Sequence, residues 1–597
     1  MQYKAPLRDM KFVMHELLKF EEHFNAIPAY AHVDRETLDS FVEAGASFAE
    51  NELSPLNRTG DEEGCRFENG NVYTPTGFKE AYKQYCELGF PSLCADPEFD
   101  GQGMPLSLGS AINEMTGTAN WSFSMYPGLS EGAIRTIEHH GTDEQKQHYL
   151  LKLISGEWTG TMCLTEAHAG SDLGIIRTKA EPNDDGSYAI TGQKIFISAG
   201  EHDMADNIVH IVLARLPNAP QGTKGISLFI VPKFNVNADG SIGERNAVTC
   251  GSIEHKMGIK ASATAVLNFD KAKGFLIAEP NKGLNAMFTF MNTARIGTAI
   301  QGLTASEFAF QGGLMYAKER LAMRALSGAK APEQVADPII VHPAVRNMLL
   351  TSKAFAEGGR ALVYYLSQFA DVVAKGEGEA QVYADQMLSL LTPIAKAFLT
   401  ETGYESANHG VQVYGGHGFI REWGMEQNVR DTRIACLYEG TTEIQSLDLL
   451  GRKVLGSNGK LLANFSKVIH KFCEENKDND DMGEFVRPLA RLNKEWGDLT
   501  SRIGMQAVEN PDAVGGASVD YMYFSGYVTL AYLWARMALV AKEALKGDTT
   551  ETKFYTAKIK TAQFYFAKLL PRTLTHVKRI DTGLEPLMSM EIDEFQF

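Results

Sequence analysis

The chain lacks an uninterrupted apolar run long enough to cross a bilayer. Its most apolar stretch, YMYFSGYVTLAYLWARMALVAK from Tyr521 to Lys542, carries Arg536 and is diluted by Ser525, Gly526 and Thr529. It falls short of the roughly 20 apolar residues a span requires. It reads as a buried bundle helix, the other reading being a membrane-peripheral surface; membrane association is not expected. The opening segment, MQYKAPLRDMKFVMHELL, has no apolar core and no small-residue cleavage site, which argues against a secretory signal. Cysteine is sparse: seven residues, none in CxxC spacing and odd in number, suit reduced thiols in a cytoplasmic protein better than a disulfide framework. No metal site is expected. Positive charge is in deficit, with 57 Lys and Arg against 74 Asp and Glu and a net charge of -17. This excess argues against non-specific nucleic-acid binding but leaves room for a local basic pocket that takes a phosphate-bearing ligand. No GxGxxG follows a predicted strand. GGHGFI, from Gly415 to Ile420, has the glycines without the strand-turn-helix setting, so a nicotinamide-binding Rossmann domain is not expected. Internal repeats and low-complexity tracts are also missing.

At 597 residues the chain should fold as several packed modules. Up to about residue 160 apolar positions recur at helical spacing and predict a helical bundle. In LDSFVEAGASFAENEL, Phe41, Ala44, Phe48 and Leu53 approximate one face. The texture then changes to short β-branched or apolar runs between turn residues: TGTMCLTE, GSYAITGQKIFISAG, NIVHIVLARL, KGISLFIVPKF and ATAVLNFD. Helical spacing returns at Gly283. The expected organisation is α+β: an N-terminal helical domain (1–160), a middle β-domain (161–280), a helical bundle (281–457) and an appended C-terminal helical module (458–597). A β-insert between two helical blocks forms its own layer rather than a βαβ sheet.

One stretch poses a chemical question. LYEGTTEIQSL, Leu437 to Leu447, sets Glu439 after an apolar Leu437-Tyr438 that looks buried and before what looks like a helix start. Gly440-Thr441 suit an N-cap, Glu443 suits the positive end of the helix dipole, and Ile444, Leu447 and Leu450 form an expected buried stripe. Taken alone, Glu439 is read as a helix-entry carboxylate that complements the dipole.

That stretch has three companions: CLTEAHAGSDLG (Cys163 to Gly174), GQKIFISAGEHD (Gly192 to Asp203) and QVYGGHGF (Gln412 to Phe419). In this order and at this spacing, over roughly the first 455 residues, the chain resembles the acyl-CoA dehydrogenases, flavoproteins of α-β-α domain architecture. The appended module and the opening segment resemble a long bacterial subgroup that includes fatty acyl-CoA and 3-methylmercaptopropionyl-CoA dehydrogenases. The resemblance implies FAD as cofactor and Glu439 as the general base that takes the α-proton of an acyl-CoA thioester while the β-hydride passes to flavin N5. It implies flavin contacts from Met162, Leu164, Thr165, Ser171, Phe196, Ser198 and Thr441, and from Arg320, Gln412, Gly415 and Gly416 of a second copy. Ser171, Asn292 and Arg295 are implied at the substrate. Some relatives carry the base immediately before the arginine that corresponds to Arg295; here Ala294 stands there, which leaves Glu439. The plainer readings remain: Ser171-Asp172 as a loop cap, GGHG as a connecting turn, and Arg295 as a surface residue rather than a buried, paired guanidinium. Departures include Ala167 where the family often has Pro, Phe196 where it often has Trp, and Leu321-Ala322-Met323-Arg324 in place of an aromatic-glycine pair. The implied reaction makes a trans-2-enoyl-CoA, a fatty acyl-CoA being the expected substrate, 3-methylmercaptopropionyl-CoA the alternative, and an electron-transfer flavoprotein the acceptor. An O2-using oxidase and a silent helical scaffold are the competing readings. A homodimer is expected, the added module covering a face that shorter relatives use to form tetramers.

Overall fold

A computed structural model describes residues 2–596. Two short helices, α1 (Leu7–Lys11) and α2 (Phe20–Asn25), open the chain and belong to a unit completed by residues from Thr298 onward. The other unit is residues 36–297, with Gln2–Ala5.

Within 36–297, helix α3 (Arg35–Phe48) buries Leu38, Val42, Gly45, Ala46 and Phe48, while Ala44 is exposed and Phe41 only half-buried. The buried face is thus rotated from the expected Phe41-Ala44 stripe, because Gly45 lets the helix approach Ile112 and Met115. After α4 (Ser54–Glu63) comes an unanticipated hairpin, β1 (Arg66–Glu68) and β2 (Asn71–Tyr73). Asn69-Gly70 turns it with φ of 51° and 81°, the left-handed pair that a tight two-residue turn demands and that Asn-Gly supplies. The N-terminal segment is therefore not purely helical. Helices α5 (Phe78–Glu87), α6 (Leu106–Ala119), α7 (Trp121–His140) and α8 (Asp143–Ile154) complete it. Asn120 ends α6 in extended backbone, and its side chain accepts the Phe123 N–H to cap α7.

The sheet is built from β3 (Trp158–Cys163), β4 (Lys179–Pro182), β5 (Tyr188–Ser198), β6 (Asn207–Arg215), β7 (Ile226–Pro232), β10 (Val248–Ile253) and β11 (Thr264–Ile277). Its order is β10-β11-β5-β4-β6-β3, with β7 paired to β11 and β6. A minor ribbon, β8 (Phe234–Val236) and β9 (Ile242–Arg245), lies apart. All five predicted runs contain a strand; β4 and β10 were not anticipated. Alternation divides β6 between two cores: Val209, Ile211 and Leu213 join Ile137, Leu153 and Phe290 on one face, whereas Val212 and Ala214 join Phe229, Leu267 and Phe269 on the other. Both faces are covered, which explains why β6 reads as a continuous apolar run rather than an alternating one.

From Thr298 onward the unit is helical: the second half of α9 (Gly283–Glu319), α10 (Pro343–Lys375), α11 (Gly378–Tyr414), α12 (Met425–Arg433), α13 (Thr442–Leu447), α14 (Lys460–Asn476), α15 (Gly483–Glu509), α16 (Asp512–Lys546), α17 (Thr552–Phe564) and α18 (Thr573–Asp581). α9 crosses α11 backbone to backbone: a Cβ on Gly302 would lie 2.1 Å from the Leu399 carbonyl oxygen. Gly302→Ala is expected to destabilise the chain by about 1–3 kcal/mol through this overpacking, read as a lowered melting temperature. Contrary to the sequence expectation, α16 is long and apolar enough to cross a membrane by length and composition alone, but 83% of its apolar window is buried inside the protein. Arg360 reaches Asp9 and Glu307, and Lys558 reaches Asp9 and Glu357, so buried ion pairs tie α1, α9 and α10 to α17.

Candidate active site

In the 36–297 unit the CLTEAHAGSDLG segment leaves the end of β3, with Met162 half-buried and Leu164 buried. Two charged side chains, both buried, fix its path. Lys194 Nζ donates to the Leu164 carbonyl and to Glu166 Oε1, each at 2.9 Å. Glu166 also accepts the main-chain N–H groups of Arg177 at 2.7 Å and Thr178 at 3.0 Å. Burial raises the Glu166 pKa, but the Lys194 charge and these donors outweigh it and hold the carboxyl at about 2. Ile195 N–H donates to the Thr165 carbonyl at 2.9 Å, so β5 holds both residues of the Leu164-Thr165 step.

Where β5 passes this segment its register against β11 shifts: Ile197 pairs with Ala265 but Lys194 with Leu267. The extra residue is accommodated at Phe196, whose φ of 59° is left-handed. The bulge turns the ring out of the sheet, leaving it 59% exposed although its neighbours Lys194 and Ile197 are buried. Ser198, half-buried, pairs with Thr264 at the strand end. Ser171 is exposed, and Asp172 caps the loop by accepting the Gly174 N–H at 2.8 Å. An outward aromatic beside a fixed main-chain edge is a surface that fits a planar ring system.

Further along, Asn292 is exposed on α9 and Arg295 half-buried one turn later. The Arg295 Nε is buried with no hydrogen-bond partner among the described residues. A buried orphan donor is costly, and a bound acceptor would satisfy it.

In the other unit, Thr441 caps α13, its side chain accepting the Ile444 N–H at 3.3 Å, and Glu443 lies exposed in the first turn. Glu439 itself has a φ of 57°, and Gly440 follows at 88°. A glutamate in left-handed backbone is uncommon and must be held there. Three tethers do so. Gln445 donates to the Glu439 carbonyl at 2.9 Å, Lys396 Nζ donates to the Gly440 carbonyl at 2.5 Å, and the Tyr438 hydroxyl donates to Gln301. Two sequence expectations are corrected here: Leu437 is 46% exposed and Tyr438 only half-buried, and Leu447 is 39% exposed, so the buried side of α13 is Thr442, Gln445 and Ser446. The short helix can bury these polar residues because each donates to a partner: Ser446 to the Thr442 carbonyl, Gln445 to the Glu439 carbonyl and Thr442 to Glu401. Burial raises the nearby Cys436 thiol to about 12, so Cys436 stays protonated and is no nucleophile.

The GGHG turn ends α11. Gly415 (φ 59°) and Gly416 face open space, and Gln412 and Arg320 are exposed. His417 anchors the turn: its Nδ1 lies 2.8 Å from the Tyr316 hydroxyl and its ring stacks on Trp423 at 4.4 Å. Beside it Phe419 is 85% exposed.

Lys194, Lys396 and Gln301 escaped the sequence reading. The signal for the two lysines was present: each is a lone cation inside an apolar element, KIFIS and IAKAF, which implies a buried partner.

Four family models match the chain in order: "Acyl-CoA dehydrogenase, N-terminal domain" at residues 35–157, "middle domain" at 161–272, "C-terminal domain" at 281–455 and "Acetyl-CoA dehydrogenase C-terminal like" at 465–591. The 3-methylmercaptopropionyl-CoA dehydrogenase of Ruegeria pomeroyi is 41% identical over 98% of this chain and 99% of its own. A butyryl-CoA dehydrogenase of Syntrophomonas wolfei is 35% identical over 97% and 98%. In fold, the chain is similar to a Bacillus anthracis acyl-CoA dehydrogenase complexed with FAD, with a TM-score of 0.73 at 22% identity over 93% of this chain and 90% of that one.

Proposed function

Since the chain belongs to the acyl-CoA dehydrogenase family and is an FAD-dependent oxidoreductase, we propose that it desaturates a short unbranched acyl-CoA with Glu439 as the base. The observation that carries the assignment is the left-handed Glu439, whose loop carbonyls are tied down by Gln445 and Lys396. Such strain persists where it positions a reacting group.

FAD, when bound, supplies the two-electron acceptor for the substrate's β-carbon. Met162, Leu164, Thr165 and Ser198 would hold its ring system, with Phe196 against one face and Ser171 on the same loop. Glu439 takes the α-proton. A carboxylate is a weak base for that task in water, so exclusion of water by the bound acyl chain strengthens it, while the Glu439 N–H stabilises the thioester oxygen as charge develops. Asn292 and the orphan Nε of Arg295 are the donors for the CoA portion.

A short acyl group is supported by chemistry shared by the two relatives. Butyryl is a four-carbon chain, and the methylmercaptopropionyl chain is an unbranched thioether close in shape to pentanoyl. One narrow slot would accept both. The purified protein should be yellow with about one FAD per chain. Mixed anaerobically with an acyl-CoA series, it should bleach fastest with butyryl-, pentanoyl- and 3-methylmercaptopropionyl-CoA. A colourless protein, or bleaching by long chains alone, would sink the proposal. Electrons then pass to an electron-transfer flavoprotein; rapid reoxidation in air with peroxide release would mark an oxidase instead.

The exposed GGHG turn and Phe419 support a second copy as the partner on this face, where Arg320, Gln412, Gly415 and Gly416 would reach the partner's cofactor. Dissociating the dimer should release FAD, and a monomer that retains it tightly contradicts this arrangement.

A further inference from the structure

The residues that hold the Glu439 loop are themselves held by the C-terminal module. Thr442, the first residue of α13 and buried, donates its hydroxyl to Glu401 Oε1 on α11 at 2.6 Å. Glu401 lies five positions after Lys396, the donor to the Gly440 carbonyl, so α11 grips the loop at two points two residues apart. Both are charge-assisted bonds, stronger and more directional than neutral ones.

Helix α16 of the module packs directly on this part of α11. A Cβ on Gly526 would lie 2.2 Å from the Phe398 ring, which sits between Lys396 and Glu401 in sequence. On the same helix, Tyr523 and Tyr527 lie edge-on to Phe398 at 6.4 and 4.9 Å, and burial together with the nearby Glu401 carboxylate pushes the pKa of the Tyr523 hydroxyl up. A second clamp sits one turn further along α11. Arg572 grips both oxygens of Glu405 at 2.8 Å each and reaches the Tyr527 hydroxyl at 3.1 Å. Behind Tyr523, the His576 ring stacks at 4.9 Å and is fixed by Asp520 at 2.8 Å.

We propose that the C-terminal module is part of the catalytic apparatus: Tyr523 fixes the Glu401 carboxylate, and Glu401, through Thr442, sets where Glu439 stands. Tyr523, Glu401 and Thr442 are positioning residues. The inference rests on Glu439 being the base. Its physical ground is that two successive left-handed residues, Glu439 and Gly440, have no regular ladder to hold them. The loop relaxes once a tether at either end is cut, and a displacement on the order of 1 Å costs up to about a hundredfold in rate.

The test uses the full-length flavoprotein and the variants Thr442→Val, Thr442→Ser, Tyr523→Phe and Thr442→Val/Tyr523→Phe. Four quantities are read: the limiting anaerobic bleaching rate with butyryl-CoA, half-saturation, FAD content, and amide exchange across residues 437–447. Thr442→Val is expected to lower the limiting rate roughly 10- to 100-fold with half-saturation and FAD content near those of the parent. Thr442→Ser, which keeps the hydroxyl, should stay within about threefold of the parent, judged against that same loss. Tyr523→Phe should slow the reaction less, and should add nothing in the Thr442→Val background because the two act through one carboxylate. Amide exchange in 437–447 should quicken in Thr442→Val and not in Thr442→Ser, a readout independent of turnover. Parent-like rates in every variant, serine as slow as valine, or losses that multiply would overturn the inference. A parent that is bleached by none of the acyl-CoAs would instead sink the proposed function, and this inference with it.

Discussion

Glu439→Gln should slow acyl-CoA-dependent bleaching by roughly 10²- to 10⁴-fold, the range typical of losing a general base. The substitution keeps side-chain length and hydrogen bonding while removing the proton acceptor. The fold should be unchanged, because the loop is held through main-chain carbonyls: Gln445 to residue 439 and Lys396 to residue 440. FAD content should also persist, since the proposed ring contacts lie on Leu164, Thr165 and Ser198. No carboxylate stands at Ala294 to take over. Adding one tests that logic, and Ala294→Glu in the Glu439→Gln background should recover part of the rate. If Glu439→Gln bleaches at near the parent rate, Glu439 is only a helix-entry residue.

The largest stability effect is expected at Lys194. Its ammonium is fully buried against Glu166 and the Leu164 carbonyl. Lys194→Met strands the Glu166 carboxylate in the interior, and breaking a buried pair from one side costs about 3–5 kcal/mol. Replacing both partners, Lys194→Met with Glu166→Leu, should recover much of that loss, because the uncompensated charge is gone. The pH dependence gives a second check. In the parent the Glu166 carboxyl is lowered from 4.5 to about 2, so its contribution to stability is full above pH 4.5 and is lost as pH falls through 2. In Lys194→Met the uncompensated carboxylate favours its neutral form, so the deficit against the parent should be greatest at neutral pH and shrink in acid. Melting temperatures of parent and variant from pH 3 to pH 8 measure this. A deficit independent of pH would mean that lost packing, not charge, is the cause.

Much of the architecture was legible in the sequence because its signals are local. Five apolar runs between turn residues became strands, and Thr441 became the N-cap of α13, since both depend on neighbours within a few residues. The Asn69-Gly70 hairpin carried an equally local signal, overlooked against a helical background. The errors share a different cause. Ala44, Leu437 and Leu447 were placed by hydrophobicity alone, whereas burial depends on which helix face finds a partner.

The sequence by itself determined the order of helices and strands and the family motifs, among them the one that carries Glu439, the proposed base. Only the tertiary structure decided what holds the Glu439 loop and, in the other unit, the loop after β3. Lys396 is 44 residues from Gly440, Glu401 is 41 from Thr442, and Lys194 is 28 from Glu166. No periodicity reaches across such separations. A buried charge can choose its partner only once packing has excluded water and brought two distant elements face to face, and that choice belongs to the folded chain.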